Sequence, residues 1–177
     1  MTPSNKPRLY VALYARGGEP DTYHWALIAA PKKETDETKA KRYHVRQRMY
    51  TEDGRSWNQW EYEELDITTL ATRMILVRIM VAKILNWPKL EEVVRAVPIV
   101  QNDKSWTCRI WVRNAMASLA AEAGVLGRSV TDWPTIESSA KQYARKKKDQ
   151  HRFDGEGDWD MSKVPTWDLI ENKETIV

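Results

Sequence analysis

One cysteine and three histidines are the residues of this chain best suited to nucleophilic and neutral-pH base chemistry, and they run in the order His24, His44, Cys108, His151. A thiol becomes a useful nucleophile when a neighbour takes its proton, and an imidazole, with a pKa near ~6.5, is the side chain suited to that task. His24 and His44 each sit in a short apolar run, Tyr23-His24-Trp25-Ala26-Leu27-Ile28 and Arg42-Tyr43-His44-Val45. A ring taken out of water in such a run needs a hydrogen-bond partner. Facing side chains on neighbouring antiparallel strands lie about 5 Å apart, close enough for one imidazole to orient the other. Cys108 follows Ser105-Trp106-Thr107, a helix-start pattern, where peptide dipoles and free amides lower a thiol pKa from ~8.5. Nucleophile, base and orienting group are thereby available for acyl transfer through a thioester: Cys108, His24 and His44. Taken singly, each residue has an ordinary alternative, an inert buried thiol or a satisfied structural histidine.

The elements that would have to position these groups are legible from periodicity. Apolar alternation places strands at Arg8–Tyr14, at the His24 run up to Pro31, at Lys41–Met49 and at Trp57–Ile67, with Asp53-Gly54 as a turn between the last two. Met74–Ile84 fits a buried strand or a helix, and its β-branched content favours a fifth strand. Helical spacing follows. A short helix lies between Pro88 and Pro98, a longer one is capped by Ser105 or Thr107 and ended by Gly124 or Gly127, and a third runs from Thr131 or Asp132 to about His151. The expected class is α+β, an antiparallel sheet of about five strands followed by helices. Residues 1–153 read as a single catalytic-type domain. Residues 154–177 read as an irregular C-terminal tail docked on it through Trp159, Trp167, Leu169 and Ile170.

At 177 residues, with 42% hydrophobic side chains, nine Trp and seven Tyr, the chain is of one-domain size and can bury a core without staples. The lone cysteine excludes an internal disulfide, and the polar Met1–Lys6 start does not resemble a secretory leader, so an intracellular, cytoplasmic protein is expected. No run approaches the ~20 apolar residues of a membrane span. A net charge of +3 is too mild to imply a nucleic-acid partner. The run from Lys141 to Arg152 is the exception: Arg145, Lys146, Lys147 and Lys148 form an anion-binding candidate, against the ordinary reading of a solvated helix end. No Cys-x-x-Cys or His-x-x-x-His pair is present, so neither a metal nor another cofactor is expected. The terminal Thr175-Ile176-Val177 matches a PDZ-type carboxylate peptide, a short and commonplace pattern.

The stretch His24-Trp25-Ala26-Leu27-Ile28-Ala29-Ala30-Pro31 resembles the His-Trp-Ala-aliphatic strand of the lecithin retinol acyltransferase-like group, within the circularly permuted NlpC/P60 branch of papain-like thiol enzymes. That resemblance implies His24 as base, His44 as orienting residue and Cys108 as nucleophile, in a papain-like architecture. The group's Asn-Cys-Glu-His-type motif is replaced here by Thr107-Cys108-Arg109-Ile110, and its C-terminal anchor is absent. The overall pattern is also similar to an uncharacterised family of small fungal proteins. Gln101 stands ahead of Cys108 at a spacing similar to that of the papain-like oxyanion glutamine, with Asp103 a weaker candidate. The helix-start amides are further oxyanion donors. Trp25, Trp106 and Trp111 are candidate walls of a substrate pocket or, alternatively, core. The expected activity is cysteine-dependent hydrolysis of an amide, peptide or ester bond in an acyl-containing substrate. Acyl transfer by the same three residues, or a catalytically silent module binding a protein or an anionic ligand, are the alternatives.

Overall fold

The computed structural model describes residues 5–72 and 74–177. The alternating first half is realised as five strands, β1 (Arg8–Ala15), β2 (Tyr23–Ala30), β3 (Lys39–Glu52), β4 (Arg55–Thr68) and β5 (Ile75–Ile84). They are followed by α1 (Trp87–Arg95), α2 (Cys108–Ala121), β6 (Leu126–Ser129), α3 (Trp133–Asp149), β7 (Thr166–Asp168) and β8 (Lys173–Ile176). The expectation of about five antiparallel strands is corrected: among the described residues the sheet has eight, ordered β4-β3-β2-β1-β5-β7-β8 with β6 on β5, and β7 runs parallel to β5. The α+β class stands. No helix among the described residues is long and apolar enough to cross a membrane.

Because side chains alternate across a strand, Leu9, Val11, Leu13, Trp25, Leu27, Val77 and Ile79 share one face. The apolar stripes of all three helices, including Leu90, Trp111, Met116 and Ile136, cover that face. The opposite face holds a smaller cluster of Tyr10, Ala12, Tyr14, Ala26, Ile28, Ala30, Ala40 and Met80, with Ile67, Ile75 and Ile170 against it. β1 and β2 are therefore buried on both sides, which is why they read as near-continuous apolar runs. The β3–β4 hairpin turns on Asp53-Gly54, both at positive φ (48° and 74°), the twist-compatible two-residue form.

The tail is more ordered than the sequence suggested. Val164 and Thr166 are buried, and β7 and β8 extend the sheet. Two residues of the basic run anchor it. Lys147, 1% exposed, pairs with Glu174 at 2.5 Å and lies over the rings of Tyr143 and Trp159. Arg152, 2% exposed, donates to the carbonyls of Asp160 and Lys163. The anion-binding candidate loses its centre accordingly. Arg145 pairs with Asp21 at 3.0 Å and Lys146 stands over Trp167, while Lys148 is exposed.

Candidate active site

α1 and α3 begin with side-chain caps, Asn86 accepting from Lys89 N and Asp132 from Thr135 N. α2 does not: Thr107 occupies the cap position without a side-chain bond, and the first intrahelical acceptance there is Trp111 N on Thr107 O. The amides of Cys108, Arg109 and Ile110 consequently have no acceptor within the helix. Cys108, at the first helical position, is 2% exposed.

The sheet opens where the thiol meets it. β2 and β3 pair only from Leu27↔Tyr43 to Ala29↔Lys41, so the ladder has ended before Trp25 is reached. The Trp25 N–H, freed from that ladder, donates to Cys108 Sγ at 3.5 Å. At the same opening, His24 Nε2 lies 2.7 Å from His44 Nδ1, the two rings meeting edge to face with centroids 4.9 Å apart. His44 Nε2 lies 3.0 Å from Glu63 Oε1, and Arg46 closes on the other Glu63 oxygen at 2.9 Å. Among the described residues no hydrogen bond joins the thiol directly to either ring.

This relay fixes the tautomers. A carboxylate only accepts, so His44 carries its proton on Nε2 and presents a bare Nδ1. That nitrogen accepts from His24 Nε2–H, which leaves His24 Nδ1 as the unprotonated, basic nitrogen. Burial lowers the His24 pKa to about 4, helped by the charges of His44, Arg42 and Arg16. Burial also lowers His44, against the opposing hydrogen bond it donates to Glu63, so its contact with Glu63 is one between a neutral ring and a carboxylate. Burial alone would raise the Glu63 carboxyl, but the His44 bond and the Arg46 charge outweigh it and hold it low. For the thiol, burial wins: Cys108 is pushed up despite the amides of Trp25, Arg109 and Cys108 itself. The lowered thiol pKa expected from the helix start is thus reversed, because desolvation of a buried sulfur exceeds what the amides return.

An acid-stability prediction follows from His24. The unfolded ring takes its proton below its usual 6.5, the folded one only near 4, so between these values the unfolded chain binds more protons and stability falls as pH falls. Between pH 7.5 and pH 5 this amounts to about 2 kcal/mol. Urea unfolding of the parent and of His24→Gln at both pH values checks it. The parent should lose about 2 kcal/mol more than the variant, and equal losses would contradict the buried neutral ring.

A family model described as a family of unknown function, DUF6914, matches residues 6–176. The chain belongs to that family. Neither a curated protein nor a solved structure matches it significantly. The match extends over the tail and takes in β7 and β8.

In this DUF6914 chain the accessory residues fall elsewhere than their sequence positions suggested. Gln101 is committed to the outer edge of β4: its Oε1 accepts from Trp60 N at 2.9 Å and its Nε2 donates to Trp60 O at 2.8 Å. That corrects its assignment as a free oxyanion donor. Asp103 caps the Ser105 turn instead of facing the thiol. Trp25, Trp106 and Trp111 are core, 2%, 5% and 0% exposed, packed on Trp133, Trp60 and Tyr62 respectively. The pocket-wall reading of these tryptophans is corrected on that ground. His151 lies apart, at the end of α3, paired with Asp154 at 2.7 Å.

Glu63 is the member of this hydrogen-bonded relay that the sequence reading missed. Its signal was nonetheless present: a two-residue turn at Asp53-Gly54 sets Glu52 opposite Arg55, and the same register carried eight positions along each strand sets His44 opposite Glu63.

Proposed function

We propose that this chain is a cysteine-dependent hydrolase of amide or ester bonds, arranged as the circularly permuted NlpC/P60 and lecithin retinol acyltransferase-like enzymes are. The observation that carries the reading is the continuous relay Glu63–His44–His24 beside a thiol held on the amide of the residue that follows His24. In the proposed step Sγ of Cys108 attacks the substrate carbonyl carbon while its proton passes to His24 Nδ1. The carbonyl electrons collect on oxygen, where the amides at the start of α2, which have no acceptor within the helix, are the donors available to stabilise them. Collapse expels the amine or alcohol, which takes the proton from His24 and leaves a thioester. Water then attacks that thioester, giving one proton to His24; sulfur departs and takes that proton from His24, and the carboxylic acid formed releases its remaining proton to solvent. An acceptor other than water in the second half would give acyl transfer from the same intermediate.

At rest this is a neutral thiol beside a neutral imidazole, since burial opposes charge on both groups. A second reading has its own support, because a sulfur 2% exposed also suits a fold whose chemistry is silent. Intact-mass analysis of the full chain treated with p-nitrophenyl acetate separates the two. The hydrolase reading expects a single acetyl adduct on the parent, absent from Cys108→Ala and lost on standing as water completes the cycle. An unlabelled parent, or labelling that survives Cys108→Ala, would reject it.

A further inference from the structure

On the sheet face away from the helices, a cavity of about 60 Å³ opens among Tyr14, Ile28, Ala40, Arg42, Ile67 and Ile75. At ~10–15 Å³ for a water-sized group, it holds roughly four to six non-hydrogen atoms. Its floor is aliphatic and it has two cationic walls that differ in one respect. Arg78 is committed, its guanidinium forked onto both oxygens of Glu34 at 2.9 and 2.6 Å and its Nε donating to Thr166. Arg42 is paired with no carboxylate among the described residues; its side chain is hydrogen-bonded to Tyr14, and its Nε is buried without a partner. The Arg42 guanidinium stands 5.1 Å from the Tyr14 ring centroid, and Tyr14 in turn meets His24 edge to face at 6.1 Å. A half-buried guanidinium with an unused donor beside an apolar hollow is suited to a carboxylate head on a short aliphatic body, because a guanidinium engages a carboxylate through two parallel hydrogen bonds.

We propose that this cavity binds a short aliphatic carboxylate, its head on Arg42, and that it is the subsite for a carboxylate-bearing portion of the substrate. The binding claim stands on the cavity itself; only the assignment to substrate rests on the hydrolase reading.

The probe is sodium butyrate, titrated by ligand-observed NMR into the full chain carrying Cys108→Ala, with ionic strength held by chloride and butyramide as the uncharged comparator. Binding on the order of 1–10 mM is expected, with butyramide at least ~10-fold weaker. Arg42→Gln should weaken butyrate by ~10-fold or more, since the charged donor is lost while the fold's packing is largely kept. Ala40→Leu, which fills the hollow and leaves Arg42 in place, should abolish binding as well. Unchanged affinity in either folded variant, or equal binding of butyramide, overturns the site. In the parent, butyrate should also slow acetylation of Cys108 by p-nitrophenyl acetate. Binding without slowing overturns the substrate assignment, whereas intact butyrate binding in a chain whose thiol never acylates overturns the hydrolase reading and leaves the cavity's ligand in place.

Discussion

Acetylation of Cys108 by p-nitrophenyl acetate is expected to fall by about 10²–10⁴-fold in His24→Ala, the usual worth of a positioned general base. The shape of the pH profile carries more information than the rate. In the parent the acceptor nitrogen is neutral from about pH 4 upward, so the rate should rise through that value and then stay level across the neutral range. Sulfur needs no prior ionisation when a neighbour removes its proton during attack. Without the ring, only spontaneously formed thiolate reacts, and because burial raises the thiol pKa the residual rate should climb about tenfold per pH unit through neutrality. Superimposable profiles for the two proteins would mean that His24 plays no part in activating the sulfur. His44 and Glu63 act one and two hydrogen bonds further back, so their removal should change the level of the plateau more than its existence.

The second large effect concerns the tail. Glu174→Ala should destabilise the chain by about 2–3 kcal/mol, because it leaves the Lys147 ammonium enclosed without its counter-charge. The figure lies below that for a wholly enclosed pair because the Glu174 side chain is 21% exposed and water screens its share. The rings of Tyr143 and Trp159 offset part of the loss through their negative faces. Chemical denaturation at pH 7 measures the effect. Lys147→Met combined with Glu174→Leu should recover most of it, since neither charge then remains to be desolvated. A single variant within ~0.5 kcal/mol of the parent would show that the ammonium finds water despite its burial.

The readable part of this fold was the part governed by local pattern. β1 to β4 appear where period-two alternation placed them, and the ambiguous Met74–Ile84 run became β5 because Ile75, Val77, Ile79 and Val81 suit a pleated surface flanked on both sides. α1 and α3 start at Asn86 and Asp132 with the short polar caps such helices use. The three chemical residues were visible as types, and His24 and His44 do meet. Partnerships across long stretches of chain were not visible. β7 is three residues long and joins β5 in parallel, a pairing that no local periodicity encodes. The run Arg145 to Lys148 looked like a solvated cationic surface until Glu174 and the rings over Lys147 were placed. Tryptophans at a helix start carry no mark that distinguishes a cleft wall from core, and here tertiary packing made them core.

The bond pair between Gln101 and Trp60 has a bearing beyond the thiol. β4 is a fourteen-residue border strand, and the outward amide and carbonyl of Trp60 are what a stray strand from another molecule would seize first. A side-chain amide offers the same donor and acceptor that such a strand would bring, so the rim is already answered at its middle. What looked like a reagent is better understood as a guard against self-assembly, leaving oxyanion donors beside the thiol to be furnished by the backbone.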